Sequence, residues 1–209
     1  MPIVALIRSG CTEFDEQQRI QGSLDLPLSS LGEQQIVEIC EQLQNVKLEK
    51  IYSGPSEPAK GTAEAISASL NVSCKESDGL RNLNQGLWQG LEVEEVRRKF
   101  TKAFKHWQSS PETTCPPEGE LLSDAVDRVR KALHKPLKKK APVAVVASEP
   151  LATIISCVVG SREIVPGPVC GSLGENLVEF FHLDELPSAG PEPNPKQQEK
   201  DTPTVHETA

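Results

Sequence analysis

The chain opens MPIVALIRSG, Met1–Gly10, and the end of that stretch decides the fold. Ile3–Ile7 is an unbroken apolar run of strand length, which predicts a buried strand over Ile3–Arg8. Arg8 closes the run, and the turn formers Ser9 and Gly10 follow it. Open α/β sheets bind ligands just beyond the carboxyl ends of their strands. An Arg at such an end suits an anion, because its guanidinium matches phosphate oxygens in charge and shape. Ser9, however, has no candidate base beside it in the sequence to activate its hydroxyl.

Strand and helix patterns alternate after that opening. Ser30-Leu-Gly-Glu33 has capping-box spacing and begins an amphipathic helix with Ile36, Ile39 and Leu43 on one side. A second strand is expected over Leu48–Ser53, a helix over Glu57–Leu70 and a short strand over Val72–Lys75. Leu91–Trp107 reads as one helix, with Val93, Val96, Phe100, Phe104 and Trp107 at near-helical spacing. The Pro-rich loop Pro111–Gly119 separates it from a helix over Leu122–His134. Pro142–Ala147 is an apolar strand, Pro150 suits the first position of a helix over Leu151–Val159, and Asn176–Leu183 closes the pattern as a strand. Such alternation predicts an α/β three-layer α/β/α sandwich around a mostly parallel central sheet. Residues 1–186 form one domain, whereas Pro187–Ala209 is rich in Pro, poor in large apolar residues and expected to be a disordered tail.

Composition narrows the function classes. The 209 residues suffice for one sizeable core, with 37% hydrophobic and 25% charged residues. A net charge of -8 and a pI near 5.1 disfavour a nucleic-acid surface. The Lys138-Lys139-Lys140 triplet reads as a helix end and a solvated turn. None of the 6 Cys forms a C-x-x-C pair, so neither a metal site nor a redox motif is expected. The first apolar run is too short and lacks the basic flank of a signal peptide, and no segment approaches the ~20 apolar residues of a membrane helix. A cytoplasmic protein with free thiols, no membrane contact and no cofactor is the expectation.

Five ordered segments then carry a resemblance. RSGCTEFDEQQRIQGSLDLPLSSLGEQQ is similar to an R-H-G-E-T opening followed by R-I-Q-G-x-x-D-x-P-L-[ST]-x-x-G. IYSGPSEPAKGTAEAI, LRNLNQGLWQGL, PPEGELLSDAVDRV and VAVVASEPLATII follow in the corresponding order. Together they resemble the histidine phosphatase superfamily, the phosphoglycerate-mutase-like enzymes, over about residues 1–186. The resemblance implies their fold. It also implies phosphoryl transfer through a phosphohistidine: one His attacks phosphorus, two Arg and a second His hold the oxygens, and an acid protonates the leaving group.

Residue by residue, the resemblance puts Arg8 at the first phosphate-binding Arg and Ser9 at the nucleophilic His. Pro58 stands at the second Arg, with Lys60 two residues on; Asn82 stands at the acid, Ser148 at the second His and Glu149 at the Gly after it. His106, His134, His182 and His206 all lie outside the His motifs. Gly10, Thr12, Arg19, Gln21, Gly22, Thr62, Gly86, Trp88, Gly90 and Gly119 match the pattern, and Arg19 and Gln21 are candidate ligand contacts at the mouth. No catalytic residue is therefore expected. Arg8, Ser9, Arg19, Gln21, Asn82, Ser148 and Glu149 remain as a phosphate or ligand pocket.

Other features have plainer readings. Ser9 is foremost a turn residue, Cys11 an inert thiol at the pocket edge, and Trp88 and Trp107 core residues. Glu13, Asp15, Glu16 and Asp25 make the first loop acidic, unlike an anion-loving mouth. Glu149 carries two readings: charge complementarity with the helix start after Pro150, or a counter-charge for Arg8. The expected function is a catalytically inactive homologue that binds or regulates, with a small phosphorylated ligand or a protein as partner. The alternative is a phosphatase or phosphomutase acting on a small phosphoester with a rearranged site.

Overall fold

The computed structural model describes residues 3–110, 115–165 and 176–182. The tail from Pro187, together with Leu183, Cys170 and part of the Pro111–Gly119 loop, lies outside the described residues. In chain order the elements are β1 (Ile3–Arg8), α1 (Glu13–Glu16), α2 (Ser30–Leu43), β2 (Lys50–Ser53), α3 (Glu57–Leu70), β3 (Cys74–Glu76), α4 (Val93–Lys99), α5 (Thr101–Ser109), α6 (Leu122–Lys138), β4 (Val143–Ala147), α7 (Leu151–Val159) and β5 (Val178–His182). Two 3₁₀ turns, Asp78–Leu80 and Gly86–Trp88, lie between β3 and α4.

The five strands run in the order β3-β2-β4-β1-β5. β1, β2, β3 and β4 pair in parallel, and only β5 runs antiparallel, against β1. β4 is apolar at every position and β1 at every position before Arg8, because both of their faces are covered. Val4 and Leu6 of β1, with Val143, Val145 and Ala147 of β4, pack towards α6 and α7. Ala5 and Ile7, with Ala144 and Val146, pack towards α2 and α3. Alternation within each strand thus builds two cores and the expected three layers.

A third cluster unites Ile20, Trp88, Val96, Phe104 and Trp107. Trp88 meets Phe104 at 5.5 Å and Trp107 edge-on at 5.7 Å, so both Trp residues are core residues, as expected. The single helix expected over Leu91–Trp107 is instead two. Phe100 leaves helical geometry at φ -118° and ψ 37°. Beside it, the Thr101 hydroxyl donates to the Arg97 and Arg98 carbonyls at 2.7 and 3.1 Å, a contact that competes with continued helix.

Several boundaries also differ from expectation: β2 begins at Lys50, β3 runs over Cys74–Glu76, β4 begins at Val143 and β5 at Val178. The N-cap of α2 is Ser29 rather than Ser30, and its hydroxyl accepts from the Gly32 amide at 3.1 Å. The capping box forms one helix earlier, between Thr12 and Asp15 at the start of α1. α6 continues through Pro136 to Lys138, because Pro136 is buried and Leu137 packs against the core. Lys138 then ends the helix, and Lys140 sits in an exposed turn at φ 50°, as the triplet's composition suggests.

Candidate functional site

β1 and β4 are neighbours in register, with Arg8 opposite Ala147. Residues 8–10 and 148–149 therefore leave the sheet side by side at the carboxyl ends of two central strands. The Ser9 amide extends the ladder by one bond, donating to the Ala147 carbonyl at 3.0 Å. Ser9 Oγ and Ser148 Oγ then meet at 2.8 Å.

Arg8 is held from several directions. Its Nε donates to Glu149 Oε1 at 2.7 Å, with the Glu149 side chain only 2% exposed. Nη1 donates to the Asn176 carbonyl at 3.3 Å and lies 3.7 Å from Glu179 Oε2. The other Glu149 oxygen, Oε2, accepts from the Thr153 amide at 3.1 Å, at the start of α7. The two readings of Glu149 are thus one arrangement: a single carboxylate caps the helix and neutralises the Arg.

Asn82 completes this corner. Its Nδ2 donates to the Gly22 carbonyl at 2.9 Å and the Glu149 carbonyl at 2.8 Å. Its Oδ1 accepts from the Leu83 amide at 2.9 Å and the Leu151 amide at 3.3 Å. With Ala152 N donating to the Ser148 carbonyl, the amides of Leu151, Ala152 and Thr153 all face oxygens of the chain itself. A helix start can cradle an anion through such amides; here the protein's own acceptors take that role.

Arg128 fixes the segment that carries Asn82. Its guanidinium spans Glu120 bidentately, at 2.7 and 2.9 Å, and donates to the carbonyls of Gly79, Arg81 and Asn82. Sequence reasoning did not single out this residue.

Other expected pocket residues are employed elsewhere. Arg19 donates to the Gly90 carbonyl at 2.9 Å and to Glu92 at 3.0 Å, joining the first loop to the start of α4. Gln21 Nε2 donates to the Leu24 carbonyl at 3.1 Å. Pro58 is buried in the first turn of α3, and its carbonyl accepts from the Thr62 hydroxyl, whose oxygen receives the Gly10 amide. The Pro58 position thus reaches the β1 turn through Thr62, without a charge.

Cys11 is 2% exposed, and its thiol lies 3.4 Å from the Ser29 hydroxyl. Burial pushes its pKa above the ordinary thiol value; the Ser29 bond opposes this, and the charges of Asp15 and Glu16 add to it. That is the reverse of an activated thiolate. Asp15 contributes to the cap of α1 by accepting from the Thr12 amide and hydroxyl at 2.7 and 2.9 Å, so part of the loop's acidity serves local structure.

A cavity of about 560 Å³ opens beside the site, lined by Arg8, Thr153, Ser156, Arg162, Asn176 and Glu179, among others. Among the described residues, no helix is long and apolar enough to cross a membrane.

The sequence and the fold are matched by known proteins. A sequence family described as the histidine phosphatase superfamily (branch 1) matches residues 4–163. Phosphoserine phosphatase 1 of Hydrogenobacter thermophilus is 29% identical over 84% of this chain and 78% of its own length. An uncharacterized phosphatase, PhoE, of Bacillus subtilis is 30% identical over 65% of this chain and 64% of its own. Among solved structures, a mycobacterial glucosyl-3-phosphoglycerate phosphatase in complex with VO3 superposes with a TM-score of 0.72, at 25% identity, over 82% of this chain and 86% of that one.

Proposed function

The chain belongs to the histidine phosphatase superfamily, branch 1, and from that premise we propose that it is a member without phosphohistidine chemistry, acting as a binding or regulatory protein. In this reading Ser9 and Ser148 stand at the two His positions, Pro58 at the second Arg and Asn82 at the acid. The Arg8–Glu149 ion pair at 2.7 Å carries the proposal. A transferring phosphoryl group needs cations that are free to stabilise its charge. Arg8 already has a buried carboxylate, and that carboxylate would repel a phosphate.

The neighbouring groups support the same reading. Ser9 has another hydroxyl, not a base, as its side-chain partner. Asn82 spends its amide protons on two carbonyls and has no acid proton to give. Of the two partners expected, a small phosphorylated ligand or a protein, the Arg8–Glu149 pair favours the protein, with no cofactor.

The names of the relatives favour a second reading: a phosphatase or phosphomutase acting on a small phosphoester through a rearranged site. One experiment separates the two. The purified protein is incubated with p-nitrophenyl phosphate, phosphosugars and phosphoserine, then assayed for released phosphate and for acid-labile phosphate on His. No turnover above blank and no phosphohistidine are expected. Turnover that is lost in Ser9→Ala establishes the second reading instead.

A further inference from the structure

We infer that Glu179 is a specificity-determining residue of this site: a second counter-charge that keeps Arg8 closed to anions even when Glu149 is neutralised. The inference rests on the reading of the site as one that excludes phosphate.

Register and packing carry it. β5 pairs antiparallel with β1, and Glu179 lies opposite Leu6, two residues before Arg8. Leu6 packs towards α7, so alternation turns Glu179 to that same face of the sheet. There the Ser156 hydroxyl donates to Glu179 Oε2 at 2.8 Å, and Arg162 Nη2 donates to Oε1 at 2.8 Å. The carboxylate is thereby fixed 3.7 Å from Arg8 Nη1. Arg8 and Glu179 both line the 560 Å³ cavity, whereas Glu149 engages Arg8 through Nε. The guanidinium thus faces one acid at Nε and another at Nη1.

The two contacts differ in strength. At 2.7 Å Glu149 makes a short charge-assisted hydrogen bond, while Glu179 at 3.7 Å contributes chiefly through its charge. Loss of the Glu149 charge leaves Arg8 next to a carboxylate already anchored by Ser156 and Arg162. A small rotation of the guanidinium turns that proximity into a hydrogen bond. Neutralising either acid alone therefore leaves the Arg8 charge compensated, and only loss of both uncovers it, since the remaining partner, the Asn176 carbonyl, is neutral.

The test is a double-mutant cycle read by calorimetry, with inorganic phosphate and orthovanadate as probes. Glu149→Gln keeps an oxygen for the Thr153 amide, and Glu179→Gln keeps one for Ser156. Each single variant should raise anion affinity less than threefold, and the double variant at least tenfold. Arg8→Gln in the double background should abolish the gain, which locates the anion at Arg8. A full gain from Glu149→Gln alone overturns the role of Glu179, as does a double variant no better than wild type. Turnover by the wild-type protein is a separate outcome: it overturns the proposed function, whereas a failed cycle without turnover overturns only this inference. If the double variant does not fold, the solvent exchange of the Arg8 guanidinium protons in the single variant Glu149→Gln decides, followed by nuclear magnetic resonance. Protons that stay as protected as in wild type support the clamp; protons that exchange as fast as those of the exposed Arg97 overturn it.

Discussion

Ser9 Oγ and Ser148 Oγ lie 2.8 Å apart, one beyond the end of β1 and the other beyond the end of β4. Two hydroxyls satisfy each other at this corner, and no imidazole of the described residues takes part in the bond. In the proposed reading this pair occupies the positions of nucleophile and phosphate-holding His. The first prediction is that Ser9→His alone stays inactive towards p-nitrophenyl phosphate. A new imidazole does not remove Glu149 from Arg8, and catalytic groups that act as a unit are strongly non-additive. Colour release above the wild-type blank, together with phosphate trapped on the new side chain, would show that Arg8 is less neutralised than its geometry implies.

Arg128 gives a second prediction. Its side chain is 11% exposed and binds Glu120 bidentately as well as three carbonyls of the segment leading to Asn82. A Lys at this position keeps the charge but not the planar fork. Arg128→Lys should lower stability by about 2–3 kcal/mol in urea unfolding, since buried donors and acceptors lose partners. Arg97→Lys, at an exposed pair with Glu94, should change it by less than about 0.5 kcal/mol. Equal effects at the two sites would remove the claim that Arg128 organises the Asn82 segment.

The sequence exposes the fold because the apolar runs of β1 and β4 are uninterrupted and are punctuated by turn residues. It exposes Arg8 and Glu149 because both fall just after those runs, where strand ends meet. It hides Glu179, whose neighbour is set by an antiparallel register spanning most of the chain rather than by local spacing. The one available signal was a carboxylate within the apolar strand VEFF, which alternation turns towards α7. Asp15 counts towards the acidity of the mouth by composition, although Thr12-x-x-Asp15 has the spacing of a cap. The break at Phe100 was hidden because apolar spacing runs straight through it, while the competing hydroxyl of Thr101 leaves the period unchanged. Gly10 matched a pattern, but its physical reason is tertiary: a Cβ there would meet the Gly32 carbonyl oxygen at 2.6 Å.

Asn82 supports a third prediction. Asn82→Asp replaces an amide that donates to the Gly22 and Glu149 carbonyls with a carboxylate facing the same oxygens. The site is buried, so the change should cost about 2 kcal/mol at neutral pH. For a chain of this size that is a fall of about 4–8 °C in Tm. Carbonyl neighbours favour the protonated carboxyl, which can donate a proton, so the deficit should shrink as pH falls. A variant as stable as wild type at pH 7 would mean that Asn82 is not the bond that joins the first loop to α7.

The fourth prediction concerns Cys11 and alkaline pH. The thiol is buried, and its pKa is pushed above the ordinary value of 9.0, chiefly by burial, with the Asp15 and Glu16 charges adding to the shift and the Ser29 bond opposing it. The sign follows from linkage. Above pH 9 the unfolded chain releases this proton while the native state still holds it, so the native state binds more protons and loses stability as pH rises. The contribution is complete below the unfolded thiol value and is lost on the way up to the folded one. Cys11→Ala should therefore unfold with a shallower loss of stability as pH rises from the ordinary thiol value of 9.0. The comparison is of slopes, because a cavity left by the missing sulfur lowers the whole curve without tilting it. In the same pH range the native thiol should react with a disulfide reagent far more slowly than in urea, since only the thiolate attacks. Identical alkaline slopes for wild type and Cys11→Ala, or fast labelling of Cys11 in the folded protein at pH 8, would place an ionisable, accessible thiol two residues from Ser9. The case against a cysteine nucleophile in this site would then fail.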